Sequence, residues 1–295
     1  MSGCVSVRSH LMWPAVKSWF RCLISKKYLC TMKQAMIFAA GLGTRLKPLT
    51  DTMPKALVPV GGKPLLDINI ERLSQAGYTR FVINVHHFAG QIIEHLKEKE
   101  APNIYISDES EQLLDTGGGL KKAAPLFYDE APILIHNVDI LDNVDYDWFA
   151  RQHQEDEDAV LLVSRRKTKR YLLFDNAMRL MGWTNIETGE VKSPFPWLRS
   201  VPLTVDSDLQ VTSLTSHLSS LTSKLNAFAF SGIHSFSPRL FPLMERFPDK
   251  FSIMDFYLSI CHRSRIMGCV KDDLQVLDVG KLDALDQAEN FIKSL

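Results

Sequence analysis

Short apolar runs alternate with helical patterns along most of the chain. Residues 34–38 and 80–85 are apolar runs of strand length. Between them, residues 64–76 carry apolar side chains at helical spacing, with Pro64 as a start signal and Gly77 as a stop signal. Because a strand, a helix and a second strand follow in this order, the pattern predicts βα units around a mostly parallel sheet.

The alternation continues to about residue 158 and then changes. After residue 158, strand-like pieces follow one another directly, with a hairpin near Gly189, so the second half is typical of an α+β arrangement. A glycine-rich turn at residues 116–119 is expected to open a short helix. The predicted strands are residues 34–38, 80–85, 103–107, 132–138, 159–164, 171–174, 179–183, 228–236 and 275–279; the predicted helices are residues 64–76, one marked by Ile92, Ile93 and Leu96, and residues 238–246, 252–263 and 282–292.

Two segments do not share this pattern. Residues 1–31 contain basic residues but no acidic ones, and polar residues interrupt their apolar stretch. We therefore expect a poorly packed or non-native extension, with an organelle transit peptide as the alternative. Residues 199–223 are rich in Ser and Thr without sustained periodicity, which predicts a long surface excursion that could serve as a lid.

Composition narrows the range of functions. The 295-residue chain contains 34 Lys plus Arg and 34 Asp plus Glu, so no overall field draws it to nucleic acid or to an anionic membrane. The 5 cysteines match no zinc spacing and form a poor disulfide framework, which favours a reducing compartment. No apolar run is long enough for a membrane span. We expect a cytoplasmic protein that binds anions at a local site.

The strongest candidate for that site follows the first predicted strand. Glycines in such a loop allow backbone N–H groups to approach phosphate oxygens closely. The guanidinium of Arg45 suits non-bridging phosphate oxygens, and Lys55 adds a compact positive charge. The spacing matches neither a Walker P-loop nor a dinucleotide fingerprint. The candidate nucleotide-binding residues of this loop are Ala39, Ala40, Gly41, Gly43, Thr44, Arg45 and Lys55.

With Pro48, Pro54 and the pair Pro59 and Val60, this loop closely resembles the signature of the sugar-1-phosphate nucleotidylyltransferase family. The resemblance extends over nearly all of residues 32–295. Within the family the chain is most similar to N-acetylmuramate 1-phosphate uridylyltransferases and mannose 1-phosphate guanylyltransferases. The resemblance implies a Rossmann-like, three-layer α/β/α fold with a nucleotide-binding half at about 32–158 and a sugar-binding half at about 159–295.

The resemblance also implies a reaction and a cofactor. A nucleoside triphosphate and a sugar 1-phosphate would give a nucleotide sugar and pyrophosphate, with Mg²⁺ as the cofactor. Asp139 ends a predicted strand at the edge where α/β folds bind ligands, and Asp278 matches the second metal-binding aspartate of the family. Arg45, Lys55, Asp139 and Asp278 are the candidate catalytic residues. Val138 and Lys281 replace the Gly and Thr that are common in the family.

Base and sugar contacts are assigned by the same resemblance. Residues 115–119 resemble the loop that approaches the nucleobase, with Thr116 and Gly117 as contacts and either Glu109 or Glu111 as a polar neighbour. The sequence does not decide between uracil and guanine. On the sugar side, the candidate residues are Asn226 and Gly232. The basic residues at 165–170 either steer the sugar phosphate or form a solvated loop, and Asn84, His86 and His87 are expected to line the ligand edge.

Three other classes remain open. A transferase acting on phosphocholine or another phosphoalcohol would show an aromatic or acidic cage for the ammonium group. A non-catalytic nucleotide-sugar-binding subunit would not need all four candidate catalytic residues. A nicotinamide-dependent enzyme is disfavoured because the third glycine of its fingerprint is missing. No β-helix pattern follows the last predicted helix, so we expect one activity, in a monomer or homodimer.

Overall fold

A computed structural model describes residues 33–99, 103–199, 201, 203–206, 208–213 and 225–294. The unit that begins at Lys33 includes every described residue. The prediction for residues 1–31 lies outside the described residues. No helix in the described ranges combines the length and apolar character that a membrane crossing requires.

Strands and helices alternate in the first half as the apolar pattern predicted. The strands of this half are β1 (Lys33–Phe38), β2 (Pro59–Val60), β3 (Lys63–Pro64), β4 (Tyr78–Val85), β5 (Ile104–Asp108), β6 (Ile133–Asn137) and β7 (Ile140–Asp142). The helices of this half are α1 (Leu65–Gln75), α2 (Ala89–Glu98), α3 (Asp115–Ala123) and α4 (Tyr146–Ala150).

The second half is dominated by strands, as expected for an α+β arrangement. Its strands are β8 (Ala159–Ser164), β9 (Arg170–Phe174), β10 (Leu180–Asn185), β11 (Glu190–Lys192), β12 (Leu203–Val205), β13 (Val211–Ser213), β14 (Asn226–Phe236), β15 (Ile266–Val270) and β16 (Val276–Asp278). Its helices are α5 (Pro196–Arg199), α6 (Phe241–Met244), α7 (Ile253–Ile260) and α8 (Leu285–Lys293).

One mixed sheet connects the two halves. Its main path runs β11-β10-β9-β14-β6-β1-β4-β5; off this path, β8 pairs with β14, and β15 pairs with β8. The four strands β6, β1, β4 and β5 are parallel, whereas β14 is antiparallel to β6, β8 and β9. The carboxyl ends of β1, β4, β5, β6 and β8 therefore meet at a single edge, and this arrangement confirms the predicted α/β fold.

Alternate residues of the central strands face two different hydrophobic layers. On β1, Ala35 and Ile37 pack with helices α1, α2 and α8, whereas Met36 packs with α3 and α7. On β6, Leu134 joins the first layer and its two neighbours join the second. Successive side chains of a strand point to opposite faces, so this division gives the three-layer α/β/α arrangement.

The glycine-rich turn was predicted incorrectly. Gly117, Gly118 and Gly119 lie inside α3 rather than before it. A Cβ on Gly117 would lie 2.4 Å from the ring of Phe251, and one on Gly118 would lie 2.0 Å from the carbonyl oxygen of Asp249. The glycines are therefore needed because α3 packs closely against the segment before α7, and not because the chain turns there.

The prediction of a surface excursion at residues 199–223 is wrong where the structure describes it. Strands β12 and β13 form an antiparallel hairpin within this stretch. Leu203, Leu209 and Val211 pack with Tyr171 and Leu173 of β9 in a third hydrophobic cluster. The Ser and Thr residues obscured this apolar alternation. Residues 200, 202, 207 and 214–223 lie outside the described part.

Candidate active site

Lys55 and Asp139 form the more enclosed of two ion pairs at the carboxyl edge of the sheet. Asp139 lies in the two-residue turn between β6 and β7, and Lys55 begins a short 3-10 helix that follows the loop after β1. Both side chains are largely shielded from solvent. An ion pair in this setting is screened less by salt than a surface pair, so the two charged groups hold each other in place.

Arg45 and Asp278 form the second pair, with the Nη1 of Arg45 at 3.3 Å from the Oδ2 of Asp278. Strand β16, which ends at Asp278, pairs antiparallel with β7, so that Asp278 lies opposite Ile140. The amide of Val279 also donates to the carbonyl oxygen of Asp139 at 2.8 Å. The structure thus brings all four candidate catalytic residues, from three distant parts of the chain, to one edge.

The loop after β1 is held by contacts within its own turn. Gly43 adopts a left-handed φ of 64°, and its carbonyl oxygen accepts a hydrogen bond of 2.8 Å from the hydroxyl of Thr50. A Cβ on Gly43 would lie 2.8 Å from the Thr50 methyl group and 3.1 Å from the Cβ of Lys55. Close packing at Gly43 therefore helps to fix the position of Lys55. Ala39 and Ala40 are buried, whereas Gly41, Thr44 and Arg45 are exposed and able to meet a ligand.

A buried polar network links this loop to α3. The side-chain oxygen of Asn84 accepts from the amide of Ala39 at 2.8 Å, and its nitrogen donates to Glu109 at 2.7 Å. The other carboxylate oxygen of Glu109 accepts from the amide of Leu114 at 3.1 Å, just before α3. Burial raises the pKa of Glu109 against the opposing effect of these hydrogen bonds. Asn84 and Glu109 thus connect the loop after β1, which we call the phosphate loop because of its predicted role, to the predicted base loop at residues 115–119.

Some residues of the predicted base loop already form hydrogen bonds with the segment around Phe251. The amides of Gly117 and Gly118 already donate to the carbonyl oxygen of Phe251, at 2.9 and 3.2 Å. The hydroxyl of Thr116 accepts from the amide of Ile253 at 3.0 Å. Glu111 is exposed, so of the two glutamates it is the one that a ligand can reach. The base-binding roles of Thr116, Gly117 and Glu111 stay predictions.

On the predicted sugar side, one of the two residues lies close to the turn that carries Asp139. Gly232 has a left-handed φ of 86°, and a Cβ there would lie 3.0 Å from the side-chain nitrogen of Asn137, two residues before Asp139. Asn226 instead lies opposite Phe174 of β9, and its side-chain oxygen accepts from Gln210 at 3.2 Å. The structure therefore links Gly232, but not Asn226, to the Asp139 turn.

Several of the basic residues at 165–170 already have ion-pair or hydrogen-bond partners. Arg165 pairs with Asp272 at 3.1 Å, and Lys169 pairs with Glu187 at 2.7 Å. Arg166 donates to the carbonyl oxygen of Phe230 on β14 at 3.1 Å. Because Arg166 follows β8 at the carboxyl edge, it is the member of this cluster best tied to the sugar side.

The two carboxylates suit Mg²⁺ as partial ligands. Asp139 and Asp278 are hard oxygen donors on neighbouring paired segments. Across the described residues, no group of three or more His, Cys, Asp or Glu side chains is arranged for a metal ion. Mg²⁺ usually keeps several waters and takes only one or two protein carboxylates plus substrate phosphates, so a two-carboxylate site fits this ion.

Sequence reasoning did not identify Asn137 and gave Thr50 no role. Thr50 belongs to the loop signature, but its bond to Gly43 depends on how the loop closes. Asn137 becomes relevant only when Gly232 of β14 is placed against it. Both contacts join residues whose relation is set by tertiary structure, although the polar ending of strand β6 at Asn137 was a signal that they could matter.

Comparison with known proteins supports the family suggested by these residues. The family model described as nucleotidyl transferase matches residues 34–171, which include β1 to β8. The chain is 50% identical over 111 residues to N-acetylmuramate alpha-1-phosphate uridylyltransferase of Caulobacter vibrioides, covering 36% of this chain and 46% of that protein. It is 34% identical over 137 residues to mannose-1-phosphate guanyltransferase of Yarrowia lipolytica, covering 45% of this chain and 38% of that protein.

The fold also matches a solved structure over most of its length. The inositol-1-phosphate CTP transferase from T. maritima superposes with a TM-score of 0.64 at 15% identity, over 89% of this chain and 96% of that one. The chain matches less than half the length of both curated relatives named above. The match of residues 34–171 to the nucleotidyl transferase model supports the resemblance inferred from the loop signature.

Proposed function

We propose that this protein is a Mg²⁺-dependent sugar-1-phosphate nucleotidylyltransferase. The observation that carries the proposal is the pairing of β7 with β16, because it brings the Lys55–Asp139 and Arg45–Asp278 ion pairs to one edge of the sheet. That edge also carries the phosphate loop after β1. Two cations and two carboxylates in this arrangement suit a reaction between two phosphate-bearing substrates.

In the proposed reaction, an oxygen of the sugar 1-phosphate attacks the α-phosphorus of the triphosphate in line. A new P–O bond forms, the bond from the α-phosphorus to the bridging oxygen of the β-phosphate breaks, and pyrophosphate leaves. The attacking group is already anionic at neutral pH, so no general base or covalent enzyme intermediate is required. Catalysis therefore depends on positioning and on charge neutralisation.

The residues of the chain have separate parts in this scheme. The exposed guanidinium of Arg45 binds phosphate oxygens of the triphosphate, and Lys55 holds its charge beside the reacting phosphates. Gly41 leaves open space in which a phosphate can approach the backbone. Asp139 and Asp278 would hold Mg²⁺, which would supply positive charge to neutralise the reacting phosphates.

The proposed substrates are UTP and N-acetylmuramate 1-phosphate. The 50% identity to the Caulobacter uridylyltransferase over 111 residues supports this pair. GTP and mannose 1-phosphate form the second candidate pair, supported by the Yarrowia relative. We propose a cytoplasmic location as well, since Cys261 and Cys269 are free thiols, as is usual in a reducing compartment.

Pyrophosphate release tests the proposal. UTP, GTP, CTP and dTTP would each be mixed with N-acetylmuramate 1-phosphate, mannose 1-phosphate, glucose 1-phosphate or phosphocholine, with Mg²⁺ or with excess EDTA. We expect Mg²⁺-dependent release with UTP and N-acetylmuramate 1-phosphate above all other pairs. Release with phosphocholine alone would move the protein to the phosphoalcohol transferases, and no release with any pair would contradict the proposed reaction.

A further inference from the structure

A buried ionic cluster lies directly behind the turn that carries Asp139. His136 on β6 and Asp142 on β7 are on opposite sides of this turn, and both side chains are fully buried. Arg72 of α1 and Tyr146 of α4 complete the cluster. Buried charges are costly unless they are paired and hydrogen-bonded, so a cluster kept at this position calls for an explanation.

The carboxylate of Asp142 accepts four hydrogen bonds. Its Oδ1 accepts from the amide of Val144 at 2.8 Å and from the Nη2 of Arg72 at 3.3 Å. Its Oδ2 accepts from the hydroxyl of Tyr146 at 2.9 Å and faces the Nε2 of His136 at 3.0 Å. Both oxygens are fully used as acceptors, which requires the ionised form of the carboxyl group.

Polar groups surround both ring nitrogens of His136. Its Nδ1 lies 2.8 Å from the carbonyl oxygen of Asn137, and its Nε2 lies 3.0 Å from the carboxylate of Asp142 and 3.1 Å from the hydroxyl of Tyr146. The contact between His136 and Asp142 therefore joins the end of β6 to the end of β7.

The same cluster is connected to the segments that carry Asp139 and Asp278. Asp142 lies opposite Val276 on β16, two residues before Asp278. Helix α1 carries Arg72, and its Asn69 donates to the carbonyl oxygen of Val138 at 2.9 Å, beside Asp139. The cluster thus packs on one side of the two segments that carry Asp139 and Asp278 and limits their movement.

We propose that His136, Asp142, Tyr146 and Arg72 form a positioning cluster that sets the distance between Asp139 and Asp278 for divalent-metal binding. None of the four touches substrate in this account; they act through the turn and through the β7–β16 pair. The inference rests on the proposed function, which makes these two aspartates the metal ligands. Partners that orient metal ligands typically contribute about 10- to 100-fold in metal affinity or activity.

The test compares the full-length protein with three variants: Asp142→Asn, Tyr146→Phe and the matched control His153→Asn. His153 bonds the hydroxyl of Ser235 at 2.6 Å and the carbonyl oxygen of Glu157 at 3.0 Å, so it is also a hydrogen-bonded, largely enclosed histidine, but it lies outside the cluster. Mn²⁺ binding, followed by electron paramagnetic resonance, gives a readout that does not depend on turnover. Thermal unfolding shows which variants are folded at the assay temperature.

We expect Asp142→Asn to weaken Mn²⁺ binding on the order of 10-fold and to lower kcat by a similar factor, with KM for the triphosphate changed less. Tyr146→Phe, which removes one hydrogen bond, should shift both quantities in the same direction by less. His153→Asn should lower the unfolding temperature without changing Mn²⁺ affinity or kcat.

Wild-type Mn²⁺ affinity and kcat in folded Asp142→Asn and Tyr146→Phe proteins would overturn the proposal and leave the cluster a purely structural role. If the wild-type protein releases no pyrophosphate with any substrate pair while Asp142→Asn still weakens Mn²⁺ binding, the proposed function fails but the positioning cluster stands. If the wild-type protein binds no Mn²⁺, the positioning proposal fails too.

Discussion

The two ion pairs at the carboxyl edge of the sheet differ sharply in exposure. The side chains of Lys55 and Asp139 are 11% and 18% exposed, whereas those of Arg45 and Asp278 are 53% and 49% exposed. The first pair is fixed by its surroundings, and the second is held mainly by its own attraction, which water weakens. The comparison suggests a division of work, in which the enclosed pair keeps the site in shape and the open pair rearranges around incoming phosphates.

The sharpest way to break this comparison is Asp139→Asn, for which we expect the largest effect. The change removes the charge of a proposed metal ligand and leaves Lys55 without this carboxylate partner at a largely enclosed position. We expect kcat to fall by about 100-fold or more, as for the loss of one preorganised electrostatic contact. Steady-state pyrophosphate release measures it. Activity within a few-fold of wild type would remove Asp139 from the metal site.

For the open pair of Arg45 and Asp278, we expect a large change in kcat but a small change in the free energy of unfolding. Asp278→Asn is also expected to lower kcat on the order of 100-fold, yet it should change the free energy of unfolding by less than about 1 kcal/mol, as for an exposed ion pair. Urea unfolding gives the second quantity. Arg151→Ala, which breaks an exposed pair with Asp147, is the matched control and should leave kcat unchanged. A large stability loss in Asp278→Asn would show that the open pair has a structural role after all.

A smaller effect is expected at Gly43, where the phosphate loop packs on Lys55. Ala at this left-handed position should destabilise the fold by about 1–2 kcal/mol, and its Cβ would press on Thr50. Gly41→Ala is the matched comparison, because its added Cβ meets nothing within 4 Å and its stability should stay near wild type. Thermal unfolding distinguishes the two. Equal stabilities would show that the loop relaxes freely around Gly43.

The smallest predicted effect concerns acid stability. Burial alone would raise the pKa of Asp142, but the hydrogen bond from His136 and the charges of His136 and Arg72 outweigh it and lower the pKa to about 2. A depressed carboxyl pKa stabilises the fold above the unfolded value of 3.8 and loses this contribution as the pH falls from 3.8 towards 2. The difference in unfolding free energy between wild type and Asp142→Asn should therefore shrink over this range. A difference that stays constant with pH would contradict the ionised state of Asp142.

Local pattern predicted much of the fold. The apolar runs of β1, β4 and β6 and the helical spacing of α1 are properties of short segments, and the structure has them close to the predicted residues. Strands β7 and β15 were not predicted, because β7 has only three residues and β15 contains Gly268 and Cys269 in an apolar run that lacks turn signals. Short elements of this kind are defined by their partners in the sheet.

The candidate site was predicted in its residues but not in its connections. Lys55, Asp139 and Asp278 were chosen from motif residues, yet the β7–β16 pair that joins them links segments more than 130 residues apart. The same limit explains the glycines of α3, whose need for close packing arises from Phe251 in a distant segment. Sequence motifs identify the chemical groups of the candidate site, whereas the pairing of distant strands determines which of these groups lie close together.

The most direct test of the central claim is product formation from UTP and N-acetylmuramate 1-phosphate by the wild-type protein and by Asp139→Asn, each with Mg²⁺ or with EDTA. The account predicts equal amounts of nucleotide sugar and pyrophosphate from the wild-type protein with Mg²⁺, and close to none in the other three reactions. Product formation in EDTA, or undiminished turnover by Asp139→Asn, would contradict a metal-dependent site built on this aspartate.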